Sequence, residues 1–161
     1  MKEKSKFVKS GIILIGILVL FLIFYFNLLS AFTGGNGTSK RPYEVSTCAD
    51  LQNIKNNRTA SYVLVGNVSC KGVTFVPISD QFVPFQGTLD GKGYFINHLK
   101  INSSVTNHTG MIGFVGGSGV VKNVRLSNVT IDYTGTNTDI GTGVFAGAVN
   151  TGGQIINSYA I

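Results

Sequence analysis

The chain has 161 residues, enough for one domain and an anchor, and only 12% of them are charged, about half the share of a typical soluble domain. Its 21 glycines lack a Gly-X-Y period and mix with Val, Ile, Asn and Thr, which points to short strands joined by tight turns. The net charge of +6 comes mostly from an N-terminal lysine cluster plus scattered lysines, with no basic run beyond Lys40-Arg41, so a nucleic-acid partner is not expected.

In chain order, residues 1–10 form a basic segment with Lys2, Lys4, Lys6 and Lys9. Residues 11–32 follow as an apolar run interrupted only by Asn27 and Ser30. As a helix this run rises about 33 Å, enough for a hydrocarbon core of about 30 Å. The positive-inside rule keeps the lysines cytoplasmic and sends the rest outside. The segment is therefore expected to be a single-pass signal-anchor in the cell membrane, with an extracellular C-terminal domain. A cleaved signal peptide ending at Ala31 is the alternative, which would make the protein secreted. Leu29 is a poor small residue for that cut.

Residues 33–42 lack apolar periodicity and read as a linker; residues 43–161 read as the external domain. Tyr43 to Val45 opens it as a short strand. Thr47-Cys48-Ala49-Asp50 has the spacing of a capping box, with Asp in the usual Glu position. Leu51 and Ile54 then share one face, predicting a short helix through about Asn56 that covers the end of a sheet. Cys48 and Cys70 are the only cysteines. An oxidising exterior favours their pairing, with two buried free thiols as the alternative. They complete no zinc site, since no histidine lies nearby.

Phe75-Val76-Pro77-Ile78 and Phe82-Val83-Pro84-Phe85 are apolar but carry prolines, which belong at corners or edges. Asp90-Gly91 reads as a turn with Gly supplying the positive φ, and Gly93 follows. Beyond it the chain repeats. A shift of about 34 residues carries Gly113 onto Gly147, Val115 onto Val149, Gly119 onto Gly153, Val121 onto Ile155 and Asn123 onto Asn157. Ile96, Leu99 and Ile101 match Val121, Val124 and Leu126 at an offset of about 25. Such units cannot bury their own apolar faces and must stack, so the fold expected is an all-β solenoid. Asn123 and Asn157 would then form a structural ladder between stacked turns. The chain stops in a repeat strand at Tyr159-Ala160-Ile161. The expectation is a fragment of a longer protein, with further repeats or a partner chain stacking on that edge.

Cys48–Ile54, Tyr62-Val63-Leu64 before a Cys, Phe75–Ile78, and Phe85-Gln86-Gly87-Thr88-Leu89-Asp90-Gly91-Lys92-Gly93-Tyr94 resemble the GLUG-repeat family of microbial surface proteins. The naming motif appears as Gly110-Met111-Ile112-Gly113, and its second copy, ending at Gly147, has its first glycine one residue early at Gly143. The resemblance covers roughly Thr47 to Ile161. It implies a right-handed parallel β-helix of the pectin-lyase type and surface display or binding, with no activity assigned to the repeats.

The external acids Glu44, Asp50, Asp80, Asp90, Asp132 and Asp139 are scattered, and no carboxylate pair is evident from spacing. Asp132, Asn137 and Asp139 fit no known calcium loop. His98 and His108 read as solvated, and no Gly-x-Ser-x-Gly elbow is present. The glycines at 113, 116, 117 and 119 read as turn glycines rather than a phosphate loop. No catalytic residue, metal site or cofactor is expected. Sequons occur at Asn36, Asn57, Asn67, Asn102, Asn107 and Asn128, where random placement would give about two. Either they are glycosylated or they belong to an Asn/Thr/Ser-rich surface.

The reading is a membrane-anchored, cell-surface β-helix with an adhesin-like binding or display role and a glycan or protein ligand. Tyr94 and Tyr133 are candidate aromatics for sugar stacking. The alternatives are a non-catalytic repeat region of a longer carbohydrate-active enzyme or peptidase, and a structural envelope stalk.

Overall fold

A computed structural model describes Gly16 and residues 32–103, 108–134 and 141–161. The predicted anchor, apart from Gly16 and Phe32, lies outside the described residues, as do Asn107, Asn137 and Asp139. Among the described residues no helix is long and apolar enough to cross a membrane. The unit from Phe32 to Ile161 is a parallel β-solenoid of about three full coils.

Each coil is built from very short strands because its apolar residues come in groups of two or three between turn residues. β1 (Tyr43–Val45) precedes a helix α1 (Cys48–Asn53) that ends in a 3-10 turn, Ile54–Asn56. The first full coil carries β2 (Ser61–Leu64), β3 (Val68–Ser69) and β4 (Thr74–Phe75). The second carries β5 (Thr88–Asp90), β6 (Phe95–Asn97), β7 (Lys100–Ser103), β8 (His108–Thr109) and β9 (Ile112–Val115). The third carries β10 (Val120–Lys122), β11 (Arg125–Ser127), β12 (Thr130–Tyr133), β13 (Gly141–Thr142) and β14 (Ala146–Val149). β15 (Gln154–Ile156) and β16 (Tyr159–Ala160) begin another. Stacking gives one sheet of order β1-β2-β5-β10-β15, a second of order β3-β6-β11-β16 and a third of order β4-β7-β12. β8 pairs with β13 and β9 with β14, and every pairing is parallel. Pro77 and Pro84 fall outside the strands.

The core is a set of interior columns. Tyr62, Leu89 and Val121 are register partners in the first sheet, each essentially inaccessible. Val68, Ile96 and Leu126 form the equivalent column in the second, and Phe75 with Ile101 in the third. Burying each such side chain contributes about 1.5–3 kcal/mol, but only because a coil above and a coil below exclude water.

The register corrects one expected offset. Ile96 pairs with Leu126 and Ile101 with Ile131, so Ile96 does not stack on Val121. The cause lies within the coil. Val121, Val124, Leu126, Val129 and Ile131 recur at alternating spacings of three and two, so the pattern nearly repeats after five residues. A slip of five places matches as well by eye, but it would put the corners on the wrong turns.

α1 begins as its sequence dictates. The Thr47 hydroxyl accepts from Asp50 N–H, and the Asp50 carboxylate accepts from Thr47 N–H at 2.9 Å and from the Ser46 N–H and hydroxyl. Leu51 and Ile54 are fully buried. Gln52 exchanges two hydrogen bonds with the backbone of Val76, just past β4, and the Cys48–Cys70 disulfide ties the helix start to the residue after β3. The helix is thus fixed to the second and third sheets at their N-terminal ends. Segment 33–42 is pinned too: Glu44 N–H donates to Gly34 O and Ser61 N–H to Gly37 O.

Candidate functional site

Among the described residues the non-glycine positions with positive φ are Lys92, His98, Asn123, Asn128 and Asn157. All sit at corners between sheets. A left-handed residue turns the chain sharply, and Asn tolerates that conformation better than other non-glycine residues. Asn123 and Asn157 occupy the same corner, between the first and second sheets, in successive coils. The Asn123 amide bonds an aspartate of the preceding coil: its Nδ2 donates to Asp90 Oδ1 at 3.0 Å.

On the preceding coil this corner is longer, Gly91-Lys92-Gly93-Tyr94. The positive φ falls on Lys92 and Gly93 and not on Gly91. Gly91 is required for a different reason: a Cβ there would lie 2.5 Å from Asn123 O and 2.7 Å from Val124 Cα. Gly110, Gly113 and Gly147 likewise serve close backbone approach; Gly113 and Gly147 lie inside β9 and β14, not in turns.

Asp90 organises the corner. Its Oδ1 also accepts from Lys92 N–H, and its Oδ2 faces the ammonium groups of Lys92 at 3.4 Å and Lys122 at 3.7 Å. Burial alone would raise the Asp90 pKa. The hydrogen bonds from Asn123 and the Lys92 backbone, with the Lys92 charge, outweigh it and hold the carboxyl below its ordinary value.

Two residues beyond the corner asparagines lie Arg125 and Tyr159, which are register partners, and Arg125 in turn pairs with Phe95. All three point outward from the second sheet. The Arg125 guanidinium carbon is 5.5 Å from the Phe95 ring centre and 5.5 Å from that of Tyr159. The cation is therefore held between two rings. Among the described residues no carboxylate lies within ion-pair distance of Arg125. Lys92, Gly93, Asn123, Arg125, Asn157 and Tyr159 line an open cleft of about 440 Å³. A second cleft of about 500 Å³, lined by Lys71, His98, Lys100, Asn128 and neighbours, lies at the next corner and has no Phe, Tyr or Arg in its walls. Lys100 there is paired with Asp132 at 3.2 Å.

The remaining predicted positions fall as follows. Asn36, Asn57, Asn67, Asn102 and Asn128 are all exposed. Asn67 Oδ1 accepts from Phe95 N–H at 2.9 Å, so this side chain already holds the next coil. Asp90 and Asp132 sit on different sheets, opposite Lys122 and Asn102 respectively. Tyr94 is exposed, and Tyr133 is half-buried, with its hydroxyl buried and without a hydrogen-bond partner. His108 is a half-buried strand residue: it opens β8, its ring lies 5.2 Å from that of Phe114, and its Nδ1 is buried without a partner. Sequence reasoning missed Arg125, Phe95 and Tyr159. The shift of 34 residues that maps Asn123 onto Asn157 also maps Arg125 onto Tyr159, and that was the available signal.

No protein-family model matches the chain, and no solved structure matches it significantly. Over 129 residues it is 38% identical to the halomucin of Haloquadratum walsbyi, an alignment covering 72% of this chain and 1% of that protein. Over 114 residues it is 33% identical to a protein of Evansella cellulosilytica described as a Gly-rich membrane protein, covering 66% of this chain and 13% of that protein. The chain thus spans a small part of the length of either relative.

Proposed function

We propose that this is a surface- or membrane-associated protein whose solenoid works by binding or display, in an adhesin-like role toward glycans or proteins, without catalysis. The observation that carries the reading is the outward face of the second sheet. Side chains from successive coils converge there on one cleft with amide, cationic and aromatic groups, the set that recognises polar ligands. The names of the two relatives, a halomucin and a membrane protein, support a location at the surface or membrane. The apolar run at 11–32 supports a single-pass anchor with the solenoid outside.

The ordered series of motifs supports membership of the GLUG-repeat family, and the parallel coils support a right-handed helical sense, the usual hand of parallel crossovers. We further read the β15–β16 edge as the seat of another coil. Ile155, the register partner of buried Val121, is 37% exposed there. A second reading, a repeat region within a longer protein, is favoured by how small a part of each relative the match covers.

The test is accessibility of the solenoid on intact cells. A membrane-impermeant label should react with surface lysines such as Lys71 and Lys92 without lysis. Labelling only after lysis would overturn the surface reading.

A further inference from the structure

We propose that the corner cleft between the first and second sheets binds an anionic sugar, through Arg125 as the anion-binding group and Tyr159 as the stacking platform. The inference rests on the binding reading above and names its ligand class.

A surface arginine normally samples many rotamers, and ordering it on a ligand costs about 0.5–1.5 kcal/mol. Here parallel register places Phe95 and Tyr159 one coil to either side, so Arg125 is held before any ligand arrives. Guanidinium N–H groups match a carboxylate or sulfate in two-point geometry, which an ammonium cannot do.

Charge agrees with this. The charged groups at the corner are Asp90, Lys92, Lys122 and Arg125, beside the phenols of Tyr94 and Tyr159. Asp90 is shared between the two lysines. One negative charge against three positive ones leaves an excess of two positive charges, and among the described residues Arg125 has no acid of its own. Lys92 is well exposed and can turn toward a ligand.

The sugar itself is implied by the other walls. Asn123 and Asn157 project from equivalent turns one coil apart, and an amide matches a hydroxyl as donor and acceptor. Tyr159 leaves an exposed aromatic surface beside them. A free phosphate would use Arg125 and Lys92 but neither the ring nor the paired amides. The cleft, about 440 Å³ and open to solvent, has room for one or two sugar units.

The experiment is titration calorimetry of the full chain in detergent micelles with four probes: trigalacturonate, a sulfated trisaccharide, neutral maltotriose and inorganic phosphate. An acidic trisaccharide should bind at least tenfold more tightly than maltotriose or phosphate. Arg125→Ala and Tyr159→Ala should each weaken it at least tenfold. Arg125→Lys, which keeps the charge but loses the fork, should weaken it at least threefold. Lys71→Gln removes one positive charge at the other corner and should change affinity less than twofold. The melting temperature of each variant checks its fold, and Arg125→Lys keeps the test decisive should Arg125→Ala melt early. The proposal is overturned if neither acidic probe binds, if maltotriose or phosphate binds as tightly, if Arg125→Ala binds like wild type, or if Lys71→Gln costs as much as Arg125→Ala. In any of those cases surface labelling of intact cells can still succeed, so this inference can fail while the display reading stands.

Discussion

The two ends of the solenoid carry the same interior column and treat it differently. Tyr43, Tyr62, Leu89, Val121 and Ile155 are successive register partners. At the N-terminal end Phe32 stacks on Tyr43 with ring centres 4.7 Å apart and lies 5.4 Å from Tyr62. Helix α1 and the disulfide close the neighbouring sheets there. Burial, reinforced by Tyr43, holds the Tyr62 phenol well above its ordinary pKa, and its hydroxyl donates to Asn57 O. At the C-terminal end Ile155, Tyr159 and Ile161 face solvent. Leu89, Val121 and Ile155 are all aliphatic, yet only Ile155 meets solvent, so a residue's contribution is set largely by the coil beside it.

The contrast can be broken most directly within the column. Leu89→Ala, in a fully buried position, should cost about 2–5 kcal/mol in urea unfolding. Ile155→Ala should cost under about 1 kcal/mol, because water already reaches that side chain. Equal losses at the two positions would mean that something covers the C-terminal edge in solution.

Opening the closed end is the next largest effect. Cys48 and Cys70 are 22 residues apart, and removing their cross-link should cost about 3 kcal/mol in the chain-entropy view. Reductant should lower the melting temperature and speed hydrogen exchange in α1 before it does so in β10. Asp50→Ala removes the acceptor for Ser46 and Thr47 and should cost about 1 kcal/mol by the same measurement.

The smallest test compares the two corners. Asn157→Gly keeps the left-handed turn and should change stability by less than about 0.5 kcal/mol. Asn123→Gly also keeps the turn but loses the bond to Asp90, at about 1 kcal/mol. Because the folded Asp90 pKa is depressed, its stabilisation is complete above the unfolded carboxyl value of about 3.9 and fades as pH falls through the lower folded value. Acid unfolding should therefore distinguish wild type from Asp90→Asn above about pH 4, with the two converging at lower pH.

Much of the architecture was legible because it is local or periodic. Thr47 and Asp50 announce a helix start by themselves. The equivalence of Val121 with Ile155 and of Asn123 with Asn157 follows from one shift along the chain. The offset between the second and third coils was misread because apolar spacing within a coil nearly repeats every five residues, and nothing local breaks the tie. The cleft was not legible for a related reason. Phe95, Arg125 and Tyr159 differ in chemistry and become neighbours only once register is fixed, so Arg125 looked like one more scattered cation. The half-burial of His108 was not legible because its ring meets that of Phe114 only once the coil is formed.

Parallel stacking also decides what this chain does with its length. Adjacent strands are about 4.8 Å apart, so the five-stranded sheet from β1 to β15 stands only about 19 Å tall. One turn of 34 residues, measured from Val121 to Ile155, adds a single such step, although the same residues drawn out straight would span about 110 Å. The fold converts polymer into girth instead of reach. Its breadth lies in the flanks, where each added layer sets a further outward-facing position at a fixed pitch.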